Sequence, residues 1–276
     1  MKLKFLAICC ITLGIVSCSD DDNESENETP SNFSVENEQR SAQMSTSSDL
    51  SFSVVENAFD EQTAPSELVS STTFFPTCAT ITLNGNGDGS GTITVDFGEG
   101  CTLNDGNYVQ GAIIIDYETV DENTRNLTYT YEDYAVNLIE ISGGGAAVRT
   151  LSNNNGLPQS VATESISASF PNTDVTGTRV AHRTVVWVEG VGSGTWTDNV
   201  YEVSGNWDTE LSNGFSRSGN VTTVLRRELS CPVVVSGVVE ITQNIGTASL
   251  DYGDGTCDSI AVLTFNGIDY EIYIGN

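Results

Sequence analysis

The sequence predicts an all-β protein: an antiparallel meander of long strands forming a twisted sheet, a sandwich or a partial barrel, with one short N-terminal helix. Three observations predict it. From Ala79 onward, runs rich in Thr, Val, Ile, Tyr and Trp follow one another, the residue types that fit a pleated, half-buried surface. Tight-turn signals separate these runs: Asp88-Gly89, Asp105-Gly106, Gly143-Gly144-Gly145, Asn155-Gly156, Gly192-Ser193-Gly194, Asn213-Gly214 and Asn266-Gly267. No helical segments alternate with the strands, which argues against a parallel α/β arrangement.

The elements follow in order. Residues 1–17 carry Lys2 and Lys4 and then an apolar run from Leu3 to Val16, too short to span a bilayer permanently and suited to a signal peptide. The run ends in "GIVSC", Gly14 to Cys18, which resembles the lipobox of bacterial lipoproteins. That resemblance implies cleavage before Cys18 and acylation of this residue, an anchor worth about 0.8 kcal/mol per buried CH₂. Residues 18–48 are rich in Ser, Asn, Glu and Asp and read as an acidic, disordered tether. Residues 49–75 read as a short helix and linker, with Leu50, Val54, Val55, Ala58 and Phe59 at helical spacing and Asp49 as its N-cap. Residues 76–276 form the single all-β domain. A membrane-spanning barrel fits poorly, because most strands lack a continuous lipid-compatible face with aromatic girdles.

Charge narrows the partners. Both lysines lie in the signal, so the processed chain holds eight arginines against 38 acidic residues. Such a chain is repelled by nucleic acid and by anionic headgroups. Membrane attachment is therefore expected through the lipid on Cys18, with an outer-membrane protein or a glycan as the further partner and no nucleic acid.

Four cysteines remain after the signal and Cys18 are set aside: Cys78, Cys101, Cys231 and Cys257. An even number in an exported chain points to disulfides. A two-residue turn centred on Asn244-Ile245 sets Cys231 within one position of Cys257. A turn at Asp88-Gly89 sets Cys78 two residues from opposition to Cys101. Each pair is therefore expected to staple its own hairpin. The near-repeat "DFGEGC" and "DYGDGTC" then marks a strand end, a glycine turn and half a disulfide. A calcium site at Asp251, Asp254 and Asp258, or at Asn84, Asn86 and Asp88, is the competing reading, although neither stretch supplies the spaced ligands and closing Glu of an EF-hand loop. Calcium is the one cofactor considered; none is expected otherwise.

His182 is the only histidine, on a strand beside Arg183, and reads as a surface or sheet residue. Trp187, Trp196, Tyr201 and Trp207 fall on neighbouring strands. Exposed, they would form a stacking platform for a glycan; buried, they are core, which typical tryptophan burial favours. No His/Cys catalytic set is present, so a non-enzymatic binding or scaffold module is expected, with a carboxylate-dependent glycoside hydrolase as the alternative.

The lipobox, the acidic leader "SDDDNESENE", "RTVVWVEG", "LRRELSCPVVVSG" and "LDYGDGTCDSIAVLTFNG" together resemble a family of uncharacterised surface lipoproteins of Bacteroidota. The resemblance covers about residues 77–276. It implies an all-β domain and an outer-membrane, outward-facing address, and it carries no catalytic residue.

Overall fold

Alternation of buried and exposed residues along nearly every strand gives the chain one apolar face and one solvated face, as the period of an extended strand requires. The structure is a computed structural model, described over residues 33–63 and 73–275. The signal peptide, Cys18 and most of the linker lie outside the described residues.

Helix α1 spans Val35–Thr63. The strands are β1 (Thr80–Gly85), β2 (Ser90–Asp96), β3 (Cys101–Thr102), β4 (Tyr108–Thr119), β5 (Thr124–Val136), β6 (Ile139–Thr150) and β7 (Gln159–Ser169). They continue as β8 (Thr176–Glu189), β9 (Val200–Leu211), β10 (Ser216–Glu228), β11 (Val234–Gln243), β12 (Gly246–Asp254), β13 (Ile260–Phe265) and β14 (Ile268–Tyr273). All 14 belong to one antiparallel sheet, each strand pairing with its chain neighbour except for short β3, which pairs with β4 beside β2. β1 and β14 do not pair, so the sheet is open rather than a closed barrel. The expected meander is therefore observed, as a single twisted sheet and not a sandwich.

Residues from β2 on one side to β14 on the other touch α1, so the sheet curls around the helix. Register shifts in the β4–β5, β5–β6, β8–β9, β9–β10, β10–β11 and β11–β12 pairings add local twist, the usual effect of a bulge. Close approach supplies the rest. A Cβ on Gly144 would lie 2.0 Å from the Tyr129 carbonyl oxygen. The Trp207 indole lies across Gly219, its partner on β10, where a Cβ would meet the ring at 2.4 Å. The apolar core divides between a cluster of α1 from Met44 onward with β2–β9, and a second of the β10–β14 side of the sheet joined by Ala42, Ala181 and Trp207.

Three expectations need correction. The helix is 29 residues long and begins at Val35, so residues 35–48 are not tether, and Asp49 lies within the helix rather than capping it. Ser34 fills the capping place: its Oγ accepts the Asn37 N–H at 3.3 Å. The Gly143-Gly144-Gly145 run lies inside β6, and the chain reverses instead at Asn137-Leu138. The cause is packing: the Tyr129 ring covers Gly145 and leaves no room for a side chain there. β7, "QSVATESISAS", is a further strand; its inward positions are mostly Ser, Ala and Glu, so apolar alternation does not reveal it.

Candidate functional site

Five of the eight arginines, Arg149, Arg179, Arg183, Arg217 and Arg227, are buried on the inner face of the sheet. Three of them, Arg149, Arg183 and Arg217, pair with carboxylates set along α1 at Glu38, Asp49, Glu56 and Asp60, spacings of 11, 7 and 4 residues that keep one helical face. Arg149 binds Glu56 at 2.9 Å and Asp60 at 2.6 Å. Arg183 binds Asp49 at 2.9 Å and Glu164 of β7 at 3.1 Å. Arg217 binds Glu38 at 2.6 Å. Arg227 reaches Asp105, in the β3–β4 turn, at 3.5 Å. Buried charges survive only when paired and hydrogen-bonded, so this seam fixes the rotation and register of the helix within the sheet.

Burial raises the pKa values of Glu56 and Asp60 above the ordinary carboxylate values, and Arg149 pulls them back only in part. Two acids sharing one guanidinium leave a surplus negative charge, which favours the protonated form of either acid. Burial acts against the charge of Arg183, but Glu164 and Asp49 more than offset it and hold the guanidinium ionised. The cavity beside Glu56 and Arg183 measures about 20 Å³, room for one water and not for a substrate.

The open part of the molecule lies elsewhere. A groove of about 590 Å³ has a floor of Gln43, Thr46 and Ser47 from α1. Tyr108, the Asn137–Ile139 turn and Pro171 form one wall, and Ile274 and Gly275 the other. Leu138 stands at its rim, 62% exposed, with φ +69°, a conformation that bulky residues seldom adopt. The surroundings hold it there. The Asn137 N–H donates to the Tyr108 carbonyl at 2.8 Å, and the Tyr108 N–H donates to Asn137 Oδ1 at 2.8 Å. Asn137 Nδ2 donates to Asn107 Oδ1 at 2.9 Å, and Asn107 Nδ2 donates to Asp105 Oδ2 at 2.9 Å. Since Asp105 pairs with Arg227, the rim of the groove is tied to the buried seam.

The residues singled out by sequence are placed as follows. Cys78–Cys101 and Cys231–Cys257 are bonded, with Cα separations of 5.7 and 5.8 Å. The Asn244-Ile245 turn is the two-residue connection expected, with Gln243 opposite Gly246. The Asp96 and Asp251 carboxylates accept the backbone N–H of Gly98 and Gly253, but the shared turn is corrected: the first phrase ends β2, whereas the second lies within β12, which runs on to Asp254 past a register shift against β11. Asp254 and Asp258 likewise accept the N–H of Thr256 and Ile260, and Asp88 that of Ser90. Among the described residues no three His, Cys, Asp or Glu side chains converge on a metal-sized site; the hydrogen bonds of these acids shape turns, and nothing in them adds support to the calcium reading. The aromatic platform is corrected too. Tyr201 and Trp207 are buried; Trp187 stacks on Tyr201, Trp207 packs under Arg179, and Trp196 meets Phe74 edge-on. His182 is exposed on β8, as expected. Among the described residues no helix is long and apolar enough to cross a membrane.

Comparison with protein-family models, with curated proteins and with solved structures finds no match to this chain.

Proposed function

We propose that this chain is an exported binding module, anchored through acylated Cys18 to the outer face of an outer membrane like the Bacteroidota surface lipoproteins it resembles, and that its groove takes a neutral glycan. The observation that carries this reading is the chemistry of the groove. None of its described lining residues bears a charge, in a chain of net charge −28. One exposed aromatic ring, Tyr108, stands beside the amides of Gln43 and Asn137 and the hydroxyls of Thr46 and Ser47, groups that stack on and hydrogen-bond to an uncharged sugar. The volume lies in the range of small-ligand sites. Fourteen residues separate Cys18 from Phe33, which packs on Phe265 and Tyr270, so the anchor permits a reach of at most about 50 Å. The glycosidase alternative gains no support from Glu56 and Asp60, because Arg149 binds both and the adjoining cavity is too small for a sugar ring.

The test is titration of the intact protein with neutral and charged oligosaccharides. Binding of a neutral member, weakened at least about tenfold by Tyr108→Ala and unchanged by Trp187→Ala, is expected. Equal affinity in the Tyr108 variant refutes the groove. Protease added to whole cells should remove the domain, and full protection refutes the surface address.

A further inference from the structure

Arg179 on β8, Thr209 on β9 and Arg217 on β10 stand directly opposite one another in a single cross-strand row on the inner face. All three are at least nine-tenths buried, as are Ser41 and Ser45, which cover the row from α1. The two guanidiniums are unequally served. Arg217 donates through Nη1 to Glu38 at 2.6 Å. Arg179 meets no carboxylate; its Nη1 donates to Ser45 Oγ at 3.0 Å, and its guanidinium carbon lies 4.5 Å from the centre of the Trp207 ring. Arg179 Nε, Arg217 Nε and Nη2, Thr209 Oγ1 and Ser41 Oγ have no hydrogen-bond partner among the described residues. The second oxygen of Glu38 is engaged by the Gln243 side chain, so it does not serve Arg179.

We infer that this row encloses a binding site for one small monovalent anion of the halide class, held between Arg179 and Arg217 over the Thr209 hydroxyl. Three features select an anion over water. The unpartnered guanidinium nitrogens are donors only, and the two hydroxyls are able to donate as well. A water would find acceptors only in the two hydroxyl oxygens and offers two lone pairs to three unpartnered guanidinium nitrogens, whereas a monatomic anion accepts from all of them. One guanidinium of the two lacks a bonded carboxylate, the nearby Asp49 and Glu164 being held by Arg183, so the direct partner missing from the row is a single negative charge, and a divalent ion would exceed it. Size points the same way. Arg179 and Arg217 are two strands apart, roughly 9.5 Å between backbones, a span that two arginine side chains close around a monatomic ion. Burial also lowers the pKa of Arg179 to about 10, with Asp49 and Glu164 opposing the fall and Arg183 and Arg217 adding to it.

The site is structural in consequence: it locks the first half of α1, where the apolar contacts are few, against β8–β10. It does not depend on what the groove binds.

The experiment uses the intact, disulfide-bonded protein. Crystals soaked in bromide should give an anomalous-scattering peak between Arg179 and Arg217. Urea unfolding in chloride against gluconate, at constant ionic strength, should show the folded-to-unfolded ratio rising about tenfold for each tenfold rise in chloride above saturation. Arg179→Met should abolish this slope; should that variant fail to fold, Thr209→Val, which keeps the side-chain shape, should at least halve the slope, while Thr209→Ser retains it. No bromide at that position, or equal midpoints in chloride and gluconate, overturns the inference.

Discussion

Replacing Arg183 with methionine should destabilise this protein more than any exposed-residue substitution, because of what it leaves behind. Arg183 is 6% exposed and Glu164 is fully buried, with 3.1 Å between their charged atoms. At an effective dielectric of about 20, a unit pair at that distance attracts by roughly 5 kcal/mol. Asp49, at 2.9 Å, adds a second, partly solvated attraction. Methionine keeps most of the packing against Phe52 but offers no charge, so Glu164 stays buried with only Ser48 and Tyr129 as hydrogen-bond donors. Breaking a buried pair from one side costs about 3–5 kcal/mol. In a domain of this size that lowers the thermal midpoint by roughly 6–20 °C. The assay is urea and thermal unfolding followed by circular dichroism, in a cycle with Glu164→Gln and the double variant. Glutamine accepts from one of the Ser48 and Tyr129 hydroxyls through its carbonyl oxygen and donates its amide N–H to the other, without a charge, so the double variant should recover about 2–3 kcal/mol relative to additivity. A single-variant cost below about 1 kcal/mol, or full additivity, would refute the claim that paired buried charges hold the helix within the sheet.

Opening either disulfide by a double Cys→Ser substitution should cost about 3 kcal/mol, since each closes a loop of 23 or 26 residues; a midpoint unchanged in urea contradicts this. Glu56 and Asp60 should add stability as pH falls from neutral toward their ordinary carboxylate values. Glu56 and Asp60 have folded pKa values raised by burial, so their contribution is fully present below their ordinary values of 4.5 and 3.8 and is lost as pH rises through the raised ones. Glu56→Gln should flatten that profile, and a midpoint whose pH dependence over this interval the substitution leaves unchanged refutes it. Gly144→Ala should cost about 1–3 kcal/mol through its clash with the Tyr129 carbonyl, while Gly85→Ala, whose Cβ meets its nearest neighbour at 3.7 Å, should stay within about 0.5 kcal/mol of the parent.

Much of the sheet is legible in the residues themselves. The Asn244-Ile245, Asn213-Gly214 and Asn266-Gly267 reversals stand where the turn chemistry puts them, and the Cys231–Cys257 disulfide follows from the hairpin register, whereas Cys78 faces position 98 in register and meets Cys101 through the turn that follows β2. The helix start is not legible in the same way. "VENEQRSAQMSTSS" is polar and reads as tether because apolar periodicity is the signal sought, whereas this segment buries Glu38, Ser41, Ser45 and Ser48 instead. A signal was nonetheless present: carboxylates at 38, 49, 56 and 60 share one helical face, and Arg179 and Arg183 occupy the same strand parity as Ala181 and Val185. An arginine at an inward position demands a buried acid, and the helix is where the acids are.

The groove was not legible at all. Tyr108, Leu138, Pro171 and Ile274 are scattered over about 170 positions and meet only because the sheet curls and leaves its first and last strands unpaired. Local residue preferences and turn chemistry determined the strands, their antiparallel order and the cysteine partners, because those depend on neighbours in the chain. The curl, the buried charge seam and the uncharged groove were decided by tertiary structure, because each requires side chains from distant strands to find one helix, and no short window of sequence contains both partners.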